Sequence, residues 1–204
     1  MAFITLEGSE GVGKSTALAF IQQYLEDKNL PFVFSREPGG TPMAEKIRSL
    51  LLEEYQEQVA AETEALLFFA GRKQNIINVI LPALLKNKWV ICDRFNDASY
   101  AYQGGGRGIN FKFLDALTEM VQLDLKIDLT LLLDAPVEVG MERAKNRSAK
   151  ADRIEQEAID FFERVRKAYL DRAKQCPERF TIIDATQSVG EVSEQIRIAL
   201  DRLL

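Results

Sequence analysis

A lysine set directly behind a glycine-rich turn is suited to one kind of chemistry, the handling of phosphate. Gly8-Ser9-Glu10-Gly11-Val12-Gly13-Lys14-Ser15 has the spacing G-x-x-x-x-G-K-[ST]. The glycines let successive backbone N–H groups wrap a phosphate, and the start of the following helix adds partial positive charge. Lys14 can then reach β- and γ-oxygens, and Ser15 can ligate Mg²⁺. The alternative, a glycine turn with a surface lysine, does not account for the flanks, which are a β-rich run before the motif and a helical run after it.

A second group of charged residues points the same way. Asp93 and Arg94 end the apolar run Val90-Ile91-Cys92. Asp93 can hold Mg²⁺ or its waters. Arg94 offers a planar fork of donors that matches phosphoryl oxygens and keeps its charge. The competing reading is an ion pair that caps the strand. Arg36 ends another apolar run in the same way and is followed by Glu37-Pro38-Gly39-Gly40-Thr41-Pro42. If the runs are adjacent strands, Lys14, Arg36 and Arg94 converge on a site for two phosphate-bearing ligands, whereas a simple hydrolytic switch needs one. Histidine is absent from the chain, which removes serine-histidine triads and the usual zinc sites.

The elements that must position these residues alternate. β-rich runs at Phe3–Glu7, Phe32–Ser35, Trp89–Asp93, Leu129–Asp134 and Phe180–Asp184 are separated by amphipathic stretches. Helices are expected over Lys14–Lys28, Met43–Glu54, Ala60–Lys86, Phe111–Leu123, Val137–Lys145, Ile154–Gln175 and Val189–Arg202. Alternation of this kind predicts an α/β fold with a parallel sheet between helices and ligands at the carboxyl ends of the strands. The segments Glu37–Pro42 and Gln103–Gly108 are expected to be loops, from their density of glycine and proline.

With 204 residues, 47% hydrophobic and 28% charged, the chain is expected to form a single domain over residues 1–204. The net charge of −5 argues against a broad nucleic-acid or anionic-membrane surface. Two cysteines outside any metal or redox spacing read as free thiols, and no signal peptide or apolar run of spanning length is evident. A cytoplasmic location is the expectation.

Four ordered motifs follow the phosphate loop: Arg36-Glu37-Pro38-Gly39-Gly40-Thr41, Asp93-Arg94-Phe95, Ser99-Tyr100-Ala101-Tyr102-Gln103-Gly104 and Asp152-Arg153-Ile154-Glu155. With them the chain resembles bacterial thymidylate kinases over essentially its whole length. The resemblance implies a three-layer sandwich around a five-stranded parallel sheet of the P-loop NTPase type, a homodimer, ATP with Mg²⁺ as donor and dTMP as acceptor. It assigns ATP to Gly8, Ser9, Glu10, Gly11, Val12, Gly13, Lys14, Ser15 and Thr16, with Arg143 on adenine and Gln187 in an adenine-side loop. Ser15 and Asp93 would hold the metal.

For the acceptor, the resemblance implies Phe68 stacking on thymine and Arg72 reaching a base carbonyl. It further implies Ser99 and Gln103 bonding the base, Tyr102 pressing where a ribose carries its 2′-hydroxyl, and Glu10 near the 3′ side of the sugar. Arg36, Pro38, Arg48 and Arg94 complete that set, and the Glu37–Pro38 bond is expected to be cis. A lid over residues 144–154 would bring Arg147 and Arg153 onto the transferring phosphoryl group. On the residues alone, Phe68 also fits core packing, Arg48 a solvated helix charge and the lid an ordinary solvated loop. The chain departs from the family pattern at Phe95, at Ala98 and in a lid without glycine. A regulatory NTPase, an ATP-binding scaffold, or a kinase for CMP, UMP or dGMP are the rival readings.

Overall fold

A computed structural model describes residues 1–145 and 152–204. Its framework is one five-stranded sheet in the order β2-β3-β1-β4-β5, with every neighbouring pair parallel. The strands are β1 (Phe3–Glu7), β2 (Phe32–Arg36), β3 (Trp89–Asp93), β4 (Leu129–Asp134) and β5 (Phe180–Asp184). They follow the expected runs closely, because each is a short apolar stretch closed by a polar residue.

Both faces of the sheet are covered, so its three central strands, β1, β3 and β4, are buried on two sides, while the edge strands β2 and β5 are partly exposed. Ile4, Leu6, Ile91, Leu131 and Leu133 face α1 (Lys14–Asp27) and α9 (Val189–Asp201), packing on Ile21, Leu25, Ile196 and Leu200. Phe3, Val90 and Cys92 face α3 (Ala61–Asn75) and α6 (Phe111–Gln122), through Phe69, Leu114 and Leu117. A third cluster sets Leu132 and Tyr102 against Phe161, Val165 and Tyr169 of α8 (Ile159–Gln175). The register aligns Leu6 with Asp93 and Arg36 with Asp93, so the polar ends of β1, β2 and β3 share one edge.

Three local expectations are corrected. The stretch Ala60–Lys86 is broken into α3, a π turn at Ile76–Ile80 and α4 (Leu81–Leu85). Pro82 lacks an N–H and its ring would strike the carbonyl four residues earlier, which a wider turn relieves. The second helix from the end begins at Ile159 rather than Ile154. Asp152 Oδ1 accepts the N–H groups of Ile154 and Glu155, both at 2.9 Å, and holds that stretch as a turn.

The third correction concerns Gln103–Gly108. Instead of a loop, Tyr100–Gly106 is a buried π turn that follows α5 (Asn96–Ser99). The glycines there serve close packing. A Cβ on Gly105 would lie 2.6 Å from Ala168 Cβ, and one on Gly104 or Gly106 would strike Phe111 or Phe161. The remaining helices are α2 (Pro42–Leu52) and α7 (Val137–Lys145). No described helix is long and apolar enough to cross a membrane.

Candidate active site

The site lies where β1 gives way to α1. Gly8 and Gly11 have φ of 137° and 71°, and a Cβ on Gly8 would sit 2.5 Å from the Leu133 carbonyl oxygen. Only glycine fits such close backbone approach in this conformation. Lys14 opens α1 and folds back over the loop, its Nζ donating to the carbonyls of Gly8 at 2.9 Å and Ser9 at 3.0 Å. Burial first, then the charge of Arg94, lowers its pKa to about 8.

Arg94 leaves β3 with φ of 65°, which swings its side chain towards the phosphate loop. Nη1 donates to the Gly8 carbonyl at 2.9 Å and to Tyr169 Oη at 3.4 Å, while Nη2 pairs with Glu10 Oε1 at 2.8 Å. Burial opposes its charge, but Tyr102, Glu10, Tyr169 and Asp93 outweigh burial and raise its pKa. Beneath it, Glu7 accepts the Phe95 N–H and the Tyr169 hydroxyl, both at 2.8 Å. Burial, and after it the charge of Asp97, pushes the Glu7 carboxyl up to about 7.

A cavity of about 370 Å³ opens from the loop. Glu10 to Thr16, Asp93 and Arg94 line one end. Pro38, Arg48, Phe68, Ser99, Tyr102 and Gln103 line another part, with Arg143 also on the wall. Tyr102 is buried, donates to Glu10 at 2.8 Å and lies under the Arg94 guanidinium, 4.8 Å from ring centroid to Cζ. Arg48 Nη1 donates to the Pro38 carbonyl at 3.0 Å across the cis Glu37–Pro38 bond. Phe68 faces the cavity, and its neighbour Phe69 fills the core. Arg143 Nη1 donates to the Ala185 carbonyl at 2.9 Å, tying α7 to the turn after β5.

Several expected site residues lie elsewhere. Arg36 is exposed, pairs with Glu45 at 2.9 Å, and borders a neighbouring depression with Ser15 and Asp93. Arg72 is 1% exposed and stands behind the cavity wall. It donates to Glu37 at 2.6 Å, Asn96 at 3.2 Å, and Phe95 O and Ser99 Oγ at 3.0 Å each. It thus braces two residues that do line the cavity, Glu37 and Ser99. Gln187 is exposed and bonds Asp184 at 2.9 Å. Arg153 turns away from the phosphate loop to the Leu51 carbonyl at 2.9 Å and to Glu64 at 2.6 Å, because a buried carboxylate there needs cations. Arg147 lies outside the described residues.

Glu64, Tyr169 and Arg107 were not foreseen. Burial alone would raise the Glu64 pKa, but Gln103, Arg107 and Arg153 donate to it and lower it. The partners of Glu64 come from 39, 43 and 89 positions away, so no local pattern could have marked it.

The donor set fits a magnesium ion carried by phosphates. Asp93 Oδ1 is buried without a hydrogen-bond partner among the described residues, and Ser15 lines the same cavity. One carboxylate and one hydroxyl are the few hard oxygen ligands that Mg²⁺ takes from protein when phosphates supply others. No three-residue acidic, histidine or cysteine cage exists among the described residues.

Comparison with known proteins adds an independent line. Residues 6–196 match the family model described as thymidylate kinase. Over 201 residues the chain is 52% identical to the thymidylate kinase of Vesicomyosocius okutanii, covering 98% of each chain. It is 51% identical to that of Ectopseudomonas mendocina over 202 residues, covering 99% of this chain and 96% of the relative. Identity to the Teredinibacter turnerae protein of the same name is 48%, covering 99% and 98%.

Proposed function

Because the chain belongs to the thymidylate kinase family and so transfers a phosphoryl group from ATP to dTMP, giving dTDP, we propose which of its residues carry that transfer. The observation that supports the assignment best is the meeting of Lys14 and Arg94 on one carbonyl, that of Gly8, each at 2.9 Å. Two phosphate-binding cations brought that close can span a donor and an acceptor.

In this reading the ATP phosphates replace the Gly8 and Ser9 carbonyls as partners of Lys14, and Arg94 bridges the γ-phosphate and the dTMP phosphate. Phosphoryl transfer proceeds in line through a loose transition state whose charge spreads over equatorial oxygens, so fixed cations supply the acceleration. Mg²⁺, held by Ser15 and Asp93, would neutralise charge on the β- and γ-oxygens. Phe68 stacks on the acceptor base, Ser99 and Gln103 bond its edge, and Arg48 and Pro38 border the acceptor phosphate. Tyr102, buried under Arg94, excludes a 2′-hydroxyl. Arg143 stacks on adenine. The lid cation in this reading is Arg147.

We further propose a homodimer, supported by the exposed apolar residues Leu66 of α3, Ile77 of the π turn that continues it and Met120 of α6, which packs beside α3. A cytoplasmic location suits the two free thiols, Cys92 and Cys176.

A coupled assay with ATP and Mg²⁺ against dTMP, UMP, CMP and dGMP tests the substrate reading. dTMP should give the highest kcat/KM. Faster turnover of any other monophosphate would reject the acceptor assignment and leave the phosphate machinery standing.

A further inference from the structure

Glu64 takes no part in the phosphate machinery, yet its buried carboxylate gathers three side chains, two from the π turn and its end and one from the turn after Asp152. Gln103 Nε2 donates to Oε1 at 3.0 Å. Arg107 donates through Nε and Nη2 at 3.2 Å each, and Arg153 through Nη2 at 2.6 Å. Glu64 and Gln103 are each 1% exposed, and of the three partners only Gln103 lines the cavity.

A side-chain amide can turn either end to a ligand, one donating and the other accepting. Its neighbours decide which. An ionised carboxylate accepts and cannot donate, and two arginines keep Glu64 ionised where a lone buried carboxyl would take up a proton. The nitrogen end of Gln103 must therefore face Glu64. Its carbonyl oxygen, without a hydrogen-bond partner among the described residues, is left as the acceptor. Arg107 is itself held by Glu157 and by the Phe161 ring, 4.8 Å away, and Arg153 by the Leu51 carbonyl, so the carboxylate has no freedom to swing off Gln103.

We infer that Glu64 is a specificity-positioning residue that locks the Gln103 amide so that the pocket reads a ring N–H donor, present at N3 of thymine and uracil and absent from cytosine. The inference rests on the reading that Gln103 meets the acceptor base. Cytosine offers a lone pair at N3, which would face the locked oxygen and gain nothing. Uracil keeps the N–H and lacks only the methyl group, so the lock does not distinguish it from thymine.

The test is kcat/KM with dTMP, dUMP and dCMP for the wild type, Glu64→Gln, the charge-balanced pair Glu64→Gln/Arg107→Gln, and Gln103→Ala. Thermal melts check folding, and the charge-balanced pair serves if Glu64→Gln alone does not fold. A neutral amide at position 64 can accept or donate, so Gln103 is free to flip. Both Glu64 variants should raise the dCMP-to-dTMP ratio about tenfold, the worth of one net hydrogen bond. The dUMP-to-dTMP ratio should hold. A merely structural defect would lower all three substrates together and leave both ratios unchanged, which would overturn the inference. If Gln103→Ala itself keeps wild-type KM and ratios, the base contact is wrong. If Gln103→Ala alters the ratio and the Glu64 variants do not, only the lock is wrong.

Discussion

Lys14 and Arg94 stand eighty positions apart in the chain, yet both donate to the carbonyl oxygen of Gly8 at 2.9 Å. Two cations on one carbonyl repel each other, and the charge of Arg94 is a cause of the lowered Lys14 pKa. Asp93 and Glu10 offset part of that repulsion, Glu10 pairing with Arg94 at 2.8 Å, and they leave Lys14 an electrostatic demand that the phosphates of the proposed substrates would meet.

The first prediction follows from that demand. With a pKa near 8 in the free protein against an ordinary 10.5, Lys14 is increasingly neutral as pH rises above about 8. Between those values the unfolded chain binds the extra proton, so this group's contribution to folding stability rises with pH there and is unfavourable below. ATP phosphates favour the charged form, so binding must recapture the proton. Calorimetric titration with ATP at about pH 9, in two buffers of different ionisation enthalpy, should report net proton uptake. Buffer-independent heats would rule this out.

Tyr102 tests the sugar side. Tyr102→Ala should raise the use of ribothymidine monophosphate relative to dTMP if, as proposed, the ring occupies the space a 2′-hydroxyl would need. Tyr102→Phe keeps that bulk but loses the 2.8 Å bond to Glu10, so it should lower kcat without changing the ratio. Steady-state kinetics with both nucleotides separates the two effects. An unchanged ratio in Tyr102→Ala would place sugar selection elsewhere.

Asp93→Asn should raise the Mg²⁺ concentration needed for half-maximal activity while leaving the thermal melt near wild type, since Oδ1 has no hydrogen-bond partner among the described residues to lose. A metal titration of activity checks this. An unaltered midpoint would remove Asp93 from the metal site.

Arg72→Ala should act chiefly on stability. It strips the buried Glu37 of its ion-pair partner at 2.6 Å, and breaking such a pair costs about 3–5 kcal/mol. Burial already pushes the Glu37 pKa up, opposed by Arg72, so the variant should raise it further. Denaturant unfolding measures the loss. A variant as stable as wild type but with a weakened dTMP KM would return Arg72 to the base contact that the family resemblance implied.

The strands and the phosphate loop were readable because their signals are local: apolar runs closed by polar residues, and glycines spaced before a lysine. Phe68 was ambiguous because its neighbour Phe69 carries the same kind of side chain, and only packing against Cys92 and Phe95 decides which ring enters the core. Gly104 to Gly106 were misread as a loop because a run of glycines signals special backbone angles as strongly as it signals close packing. Here Phe111, Phe161 and Ala168 press against the π turn, and the glycines make room for them. Arg153 was drawn to Glu64, an acid whose burial depends on segments that meet only in the folded chain.

In the proposed reading Arg94 acts on the transferring phosphoryl group. Rapid-quench single turnover of Arg94→Ala and Arg94→Lys, with ATP and dTMP saturating, measures that step directly, while separate titrations give the affinity for ATP. Arg94→Ala should slow phosphoryl transfer by about 10²-fold or more, as removal of a preorganised electrostatic group does. Arg94→Lys should recover part of the rate, since a point charge replaces the fork incompletely. ATP affinity should stay close to wild type in both. A single-turnover rate near wild type in Arg94→Ala would remove Arg94 from the transfer step.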